Sequence, residues 1–155
     1  MIRISTQDIA DTLGGRLIGA DLFITGSVET DSRLVGPGAL FVCKPGETTD
    51  GHLFAQSAIE SGAVALIVER ELDVAVPQIL VPNAVLALGK LAAEVLRRVR
   101  ELGQIKVIGI TGSNGKTSTK NMLRAILSRV GETVAPIESY NNEVGAPISV
   151  LKITS

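Results

Sequence analysis

The sequence predicts an α/β protein in which a small α/β domain, residues 1–82, is followed by the beginning of a parallel-sheet domain, residues 83–155. Three observations support this fold class. Short apolar runs alternate with segments of helical periodicity, and a long helical pattern starts after Pro82-Asn83. A glycine-rich loop then stands between an apolar run and an amphipathic segment, as in the opening unit of a parallel α/β sheet.

The composition indicates a folded globular chain rather than a disordered one, with 45% hydrophobic and 20% charged residues. Three Phe, one Tyr and no Trp argue against an aromatic platform for nucleic-acid bases. A net charge of -1 gives no global field that would attract a polyanion. The single cysteine excludes a disulfide framework within the chain. Without a signal-peptide pattern or an apolar run of ~18 residues, we expect a cytoplasmic protein.

The first half of the chain predicts short elements separated by turns. A helix is expected over Thr6–Leu13, between a hydroxyl cap and two glycines. Short half-exposed strands follow around Leu17, Phe23 and Val28. Further predicted elements are a buried strand over 39–43, a helix over 52–61, a buried strand over 63–68 and a last strand over 78–81.

The long helical pattern begins at Asn83, which is a good N-cap residue. Arginines cluster near its end, where cations complement the helix dipole; a phosphate or nucleic-acid patch is the alternative interpretation. This cluster consists of Arg97, Arg98 and Arg100.

The last fifty residues predict a strand over 106–111, the glycine-rich loop, a helix over 116–130 with an apolar face, and a strand over 133–136. A parallel sheet needs more strands than this segment offers. We therefore expect the chain to be the N-terminal part of a longer enzyme, truncated within its nucleotide-binding domain.

The loop from Thr111 to Ser118 has the composition of a phosphate-binding loop. Glycines at a helix N-terminus let backbone N–H groups converge on an anion. The lysine after the last glycine can reach the β and γ phosphates, and the next hydroxyl can bind Mg²⁺. Ile110 stands where the usual pattern has its first glycine, so a structural glycine-rich turn is the alternative. The predicted nucleotide-binding residues are Gly112, Ser113, Asn114, Gly115, Lys116, Thr117 and Ser118.

Together with Asn141-Asn142-Glu143-Val144-Gly145 and the upstream Asp31-Ser32-Arg33, this loop resembles the Mur ligases, the cytoplasmic amide-forming enzymes of peptidoglycan assembly. Pro37-Gly38-Ala39-Leu40-Phe41-Val42 and Asp50-Gly51-His52 extend the resemblance through the first domain. The resemblance implies a first domain that holds a UDP-sugar peptide and a P-loop ATPase domain. It is greatest to the member that adds D-alanyl-D-alanine to UDP-N-acetylmuramoyl tripeptide.

The family chemistry implies ATP and Mg²⁺, with the substrate carboxylate activated as an acyl phosphate. By resemblance, Lys116 and Glu143 are catalytic, Thr117 and Glu143 lie at the metal, and Asn142 lies near the acyl phosphate. The alternative for Glu143 is a solvated turn residue.

The resemblance also implies a UDP site on two loops of the first domain. Hydroxyls and backbone amides can hold a diphosphate without a basic patch, and Glu47 would contribute through its backbone. The alternative role for Ser32 and Arg33 is to cap and brace their turn. The implied substrate-binding residues are Thr30, Ser32, Glu47, Thr48 and Thr49, together with Asn142.

Two further residues have chemically active side chains. His52, the only histidine, stands where a helix is predicted to begin, which favours capping or packing over catalysis. Cys43 lies in an apolar strand, which favours an inert core thiol over a nucleophile.

Two other functions stay open at this point. The nearest within the family is the ligase that adds the third peptide residue, which usually has Thr at position 113 and lacks the Asn-Asn-Glu sequence. The second is a non-catalytic nucleotide-binding module. We expect small-molecule substrates, no nucleic-acid or membrane partner, a monomer, and no turnover by these 155 residues alone.

Overall fold

The structure is a computed structural model of the chain, and it describes residues 2–46, 49–103, 105–136 and 143–153. Seven strands and five α-helices are formed by these residues. The strands are β1 (Ile4–Ser5), β2 (Arg16–Ile18), β3 (Phe23–Ile24), β4 (Val28–Glu29), β5 (Ala39–Val42), β6 (Ala63–Val68) and β7 (Gln78–Leu80). The helices are α1 (Thr6–Leu13), α2 (Ala55–Glu60), α3 (Ala84–Glu101), α4 (Lys116–Leu127) and α5 (Gly145–Leu151).

A five-stranded sheet with the order β2-β7-β6-β5-β4 forms the centre of the fold. The four strands β4, β5, β6 and β7 are parallel, and β2 joins β7 antiparallel at one edge. Strands β1 and β3 form a separate antiparallel pair. The predicted α/β class is therefore confirmed, but the parallel strands lie in residues 28–80, whereas the sequence prediction placed the parallel sheet after residue 82.

Helices cover both faces of this sheet, which explains why its central strands are apolar without interruption. In β5, Leu40 and Val42 face a large core shared with α1, α3 and α5. Phe41, between them, faces a smaller core shared with α2. Successive side chains of a strand point to opposite faces, so both faces require apolar residues.

Local sequence signals place the ends of the helices. The Ser5 side chain accepts a hydrogen bond from the Asp8 N–H at the start of α1, and Gly14 ends that helix in the left-handed conformation, at φ 65°. At the start of α3, Asn83 accepts from the Leu86 N–H, and the Glu69 carboxylate accepts from the Ala84 N–H at 2.7 Å. Two otherwise orphaned helix donors are satisfied in this way.

The later elements differ from the sequence prediction. The predicted strand over 106–111 is wrong, since these residues form no strand and are exposed or half-buried. The strand predicted over 133–136 is also absent. A strand obtains its hydrogen bonds and burial from neighbouring strands, and the described sheet places none beside these segments.

Smaller differences concern helix ends. The segment predicted as one helix over 52–61 is a 3₁₀ helix, Gly51–Phe54, followed by α2. Helix α4 ends at Leu127 rather than at residue 130.

The domain boundary after residue 82 stays a prediction. Helix α3, on its far side, packs on α1 and contributes Leu88, Leu91 and Val95 to the core beneath the five-stranded sheet. Helix α5 in turn packs on α3 and reaches β4. Across the described ranges, no helix combines the length and apolar character that crossing a membrane requires.

Candidate functional site

The glycine-rich loop leads directly into α4, as the sequence predicts. Gly115 occupies the N-cap position with φ 78°, a left-handed conformation that favours glycine. No side chain caps this helix, so the loop residues and the first N–H groups of α4 face solvent. A helix N-terminus open in this way is suited to an anion.

Lys116 is the first residue of α4, and its side chain folds back over the loop. Its Nζ donates a hydrogen bond to the Gly112 carbonyl oxygen and lies 3.4 Å from that of Ser113. The Thr119 hydroxyl donates to the Gly115 carbonyl at 2.9 Å, which fixes the first turn of the helix. The ammonium group is thus held beside the loop backbone, where a bound phosphate would need it.

A cleft of about 800 Å³ lies beside β4, between its following turn and helix α5. Three of the predicted substrate residues, Thr30, Ser32 and Thr49, line this cleft. Its volume falls within the range of about 300–1,000 Å³ typical of small-molecule sites. The residues that line it also include Glu29, Asp31, Arg33, Leu34, Lys44, Phe54, Val144, Gly145, Ile148, Ser149 and Lys152.

The turn after β4 is braced by Asp31 and Arg33. The Asp31 side chain accepts from the Arg33 N–H at 3.0 Å and caps the 3₁₀ helix Ser32–Leu34. The Arg33 guanidinium also donates to both carboxylate oxygens, at 2.9 and 2.6 Å. These contacts lower the pKa of Asp31 to about 2. Arg33 therefore has the bracing role, and the cap is Asp31 rather than Ser32.

A second loop, after β5, brings Lys44 and Thr49 to the cleft. The Gly51 N–H donates to the Lys44 carbonyl oxygen at 3.0 Å. A Cβ at position 51 would lie 2.5 Å from that oxygen, so only glycine allows this close approach. Of the other predicted residues, Glu47, Thr48 and Asn142 lie outside the described residues.

Glu143 is exposed, in the turn before α5. Within the described ranges, no hydrogen bond or ion pair joins it to Lys116 or Thr117, and no three metal-binding side chains cluster together. Its predicted metal role and that of Thr117 remain predictions. A Mg²⁺ ion bound mainly through substrate phosphates and water requires only one or two protein oxygens.

His52 is buried and has both ring nitrogens engaged. Its Nδ1 lies 2.6 Å from Asp50 Oδ1, and its Nε2 accepts a hydrogen bond from the Glu69 N–H at 3.0 Å. Because Nε2 is an acceptor, Nδ1 must carry the proton in the neutral ring. The Arg70 guanidinium donates to the second Asp50 oxygen at 2.6 Å. The predicted packing role is confirmed.

Two other sequence interpretations hold in the structure. Cys43 is buried, and its burial raises the pKa of the thiol to about 12, as expected of an inert core residue. Two of the three clustered arginines near the end of α3 form ion pairs: Arg97 with Glu94 and Glu101, and Arg98 with Glu94. Arg98 also reaches Asp8 of α1 at 3.4 Å. These pairs disfavour a nucleic-acid patch.

Sequence reasoning did not identify the polar residues that α5 and the second loop bring to the cleft, namely Lys44, Ser149 and Lys152. Lys44 directly follows the apolar run of β5, which was the available signal. The other two lie more than a hundred residues away in the sequence. Only the packing of α5 on α3 and β4 places them beside Thr30.

Comparison with known families gives two adjoining matches. Residues 25–110 match the Mur ligase family, catalytic domain, and residues 110–155 match the Mur ligase middle domain. Together they cover the cleft-lining turn, the second loop, the glycine-rich loop and α5.

Curated relatives agree with these matches. The chain is 43% identical to the UDP-N-acetylmuramoyl-tripeptide–D-alanyl-D-alanine ligase of Escherichia coli (strain K12), over 99% of this chain and 33% of that protein. It is also 43% identical, over 83% of this chain and 26% of the relative, to a UDP-N-acetylmuramoyl-L-alanyl-D-glutamate–2,6-diaminopimelate ligase of Bacillus velezensis. The chain thus spans about a third or less of the length of these relatives.

Solved structures show the same fold. A crystal structure of MurF from Acinetobacter baumannii superimposes with a TM-score of 0.83 and 34% identity, over 98% of this chain and 33% of that one. The MurF ligase of Thermotoga maritima, solved in complex with ADP, superimposes with a TM-score of 0.70 and 34% identity, over 85% of this chain and 30% of that one.

Proposed function

The chain belongs to the Mur ligase family, and we propose that it forms the part of a D-alanyl-D-alanine-adding ligase that holds UDP-N-acetylmuramoyl tripeptide and the phosphates of ATP. The single observation that carries this proposal is the cleft beside β4. It combines predicted substrate hydroxyls with a volume suited to a sugar nucleotide.

The UDP end of the substrate is assigned to this cleft. The Thr30, Ser32 and Thr49 hydroxyls can donate hydrogen bonds to phosphate and sugar oxygens. Glu47 and Thr48 belong to the same loop as Thr49 in sequence, and they are retained in the proposal with it. The braced Asp31–Arg33 pair keeps the Ser32 turn in one conformation without consuming the Ser32 hydroxyl.

ATP is assigned to the loop before α4. The left-handed Gly115 and the uncapped helix N-terminus fit a phosphate, because the free N–H groups of the first helical turn can point at a bound anion. Gly112, Ser113, Asn114, Thr117 and Ser118 complete the proposed nucleotide-binding set. The Thr117 hydroxyl and the Glu143 carboxylate are hard oxygen donors of the kind that Mg²⁺ prefers.

ATP would transfer its γ-phosphoryl group to the substrate carboxylate with release of ADP, and the amine of D-alanyl-D-alanine would then displace phosphate to form the amide. In this scheme Lys116 neutralises phosphoryl charge, and the loop N–H groups orient the phosphates. Asn142 and Glu143 lie before α5, the helix that lines the substrate cleft, so the sequence joins the proposed metal side to the substrate side. Positioning, rather than acid–base chemistry by His52, carries the proposed reaction.

The same proposal includes a cytoplasmic location, a monomer and a role in peptidoglycan synthesis. The single buried Cys43 is compatible with a reducing compartment. Sedimentation of the purified chain tests the monomer directly, since a concentration-dependent shift would contradict it.

Binding of the sugar nucleotide is the experiment that tests the proposal. We would titrate the 155-residue chain with UDP-N-acetylmuramoyl tripeptide, and compare Ser32→Ala with Ser128→Ala, an exposed serine at the end of α4. A weaker affinity only in Ser32→Ala is expected. Equal affinities would contradict the assigned site, and no binding by the natural chain would contradict the proposal.

The choice between the two family reactions needs a separate assay. Phosphate release by a chain extended to the relatives' full length would be measured with the D-alanyl-D-alanine dipeptide or with a diamino acid as the amine. Turnover with the dipeptide and UDP-N-acetylmuramoyl tripeptide is expected. Turnover only with UDP-N-acetylmuramoyl-L-alanyl-D-glutamate and a diamino acid would instead establish the ligase that adds the third residue.

A further inference from the structure

Five charged side chains line the cleft beside β4, and most of them are neutralised locally. Arg33 forms a bidentate pair with Asp31, its NH2 group 2.6 Å from Asp31 Oδ2. Lys152, at the end of α5, stabilises the Glu29 carboxylate electrostatically, although burial keeps the pKa of Glu29 above its usual value. Asp31 is thus paired directly with Arg33, whereas Lys152 acts on Glu29 through its charge and not through an ion pair among the described residues.

Lys44 is the cleft cation that acts on neither cleft carboxylate. Across the part of the chain that the structure describes, its ammonium group makes no ion pair and no hydrogen bond. The side chain is half-buried at the cleft. A partly desolvated ammonium without a counter-ion attracts an anion more strongly than one in bulk water.

The backbone holds Lys44 in place. Its N–H donates to the Val42 carbonyl at 3.0 Å, directly after the buried strand β5. Its own carbonyl accepts from the Gly51 N–H at 3.0 Å, and the bridge between Pro45 and Asp50 closes the same loop. The lysine thus extends from a fixed backbone rather than from a free surface loop.

From these contacts we infer that Lys44 supplies the cationic contact to the diphosphate of the nucleotide substrate, beside the hydroxyls of Thr30, Ser32 and Thr49. This inference rests on the proposed function and adds a specificity-determining residue to it. The sequence led us to expect a diphosphate held without a basic group. The structure instead combines the Lys44 ammonium, which acts on neither cleft carboxylate, with neutral donors, a set that suits two adjacent anionic phosphates.

The inference predicts that Lys44 affects the affinity for ligands with a diphosphate but not the affinity for uridine. A lysine exposed to solvent would affect neither. Lys44 should contribute to the binding of UDP and of UDP-N-acetylmuramoyl tripeptide, and not to the binding of uridine. Charge-assisted contacts to phosphate correspond to a loss of roughly tenfold in affinity when the charge is removed. Salt should weaken UDP binding and leave uridine binding nearly unchanged.

NMR titration can measure millimolar affinities and therefore tests the role of Lys44. The 155-residue chain is titrated with UDP, UDP-N-acetylmuramoyl tripeptide and uridine. The variants are Lys44→Gln, the conservative Lys44→Arg, and Lys90→Gln as a matched control on the exposed side of α3. We expect Lys44→Gln to lose about tenfold in affinity for both diphosphates. Lys44→Arg should restore most of that affinity, and Lys90→Gln should match the natural chain.

Equal diphosphate affinities in Lys44→Gln and the natural chain would overturn the inference and leave the proposed function standing. An equal loss for uridine would also overturn it, because the effect would then not concern the phosphates. No binding of any nucleotide by the natural chain would overturn both. If Lys44→Gln fails to fold, the salt dependence of the natural chain decides, and a salt-independent UDP affinity counts against Lys44.

Discussion

Asp50 Oδ1 lies 2.6 Å from His52 Nδ1, and the same oxygen accepts the His52 backbone N–H at 3.0 Å. The second Asp50 oxygen accepts from Arg70, and the far side of the imidazole accepts from the Glu69 N–H. Because Glu69 also caps α3, this cluster connects the loop after β5 to the helix beneath the sheet. Its role is structural, and it makes the loop sensitive to acid.

The first prediction concerns the Asp50 carboxyl. The backbone and ring N–H groups of His52, together with Arg70, hold its pKa well below the usual aspartate range. A carboxyl with a lower pKa in the folded chain stabilises the fold above about pH 4, and this contribution is lost as the pH falls toward the folded pKa. Urea denaturation of Asp50→Asn should therefore show a loss of stability at pH 7 that shrinks below about pH 4.

Asp73→Asn, at an exposed aspartate without an ion pair among the described residues, is the matched control for this measurement. It should follow the natural chain at every pH. A stability difference for Asp50→Asn that stays constant down to pH 3 would show that the carboxylate charge is not what His52 and Arg70 stabilise.

The second prediction concerns Gly51. An alanine Cβ would meet the Lys44 carbonyl oxygen at 2.5 Å and the Lys44 nitrogen at 2.9 Å, and both are backbone atoms. Relief of this overlap requires movement of the loop, so Gly51→Ala should lower the free energy of unfolding by about 1–3 kcal/mol. Urea denaturation measures this loss. Gly36→Ala is the control, since a Cβ there would meet nothing within 4 Å.

A Gly51→Ala chain as stable as Gly36→Ala would contradict the close approach of the two loop segments. The same variant should also weaken binding of UDP, because Lys44 and Thr49 both belong to the displaced loop.

The third prediction concerns the Cys43 thiol. Burial, and to a lesser extent the Asp50 charge, raises its pKa to about 12. At pH 8 the native thiol should be protonated and inaccessible to solvent. A disulfide reagent should therefore modify it only as fast as the chain unfolds. Absorbance of the released thiolate follows the reaction. The denatured chain serves as the reference for full reactivity, and comparably fast labelling of the native chain would contradict the burial.

The fourth prediction concerns nucleotide binding at α4. Lys116→Ala should lower the affinity for ATP by roughly tenfold or more, because it removes a charge-assisted contact to phosphate. Fluorescence titration with a labelled ATP analogue measures the effect. Lys106→Ala, at an exposed lysine before the loop, should bind like the natural chain. Equal affinities for the two variants would argue against the phosphate-binding role of Lys116.

The sequence was most informative where one residue decides the local conformation. Gly14 is the C-cap of α1, and Asn83 and Gly115 are the N-caps of α3 and α4. Each lies at the predicted position. The apolar run at β5 also predicted a buried strand correctly, since both of its faces require apolar residues.

The same reasoning failed for residues 106–111, which also contain an apolar run but are exposed in part or in full. Their composition shows that a strand is compatible with the segment. Whether one forms depends on hydrogen bonds from other strands, which a local pattern does not contain. The sequence did not predict Lys44 and Lys152 as site residues for a related reason. The cleft that they share forms only when α5 packs against β4.

The two walls of that cleft come from different matched regions of the chain. Thr30 and Ser32 lie in the first region, and Ile148 and Lys152 lie in the second. A rotation of α5 away from α3 would widen the cleft and separate the Lys152 charge from Glu29. The width of the cleft therefore changes with any relative displacement of the two regions, so a spectroscopic label at Ser149, which lines the cleft, would report that movement.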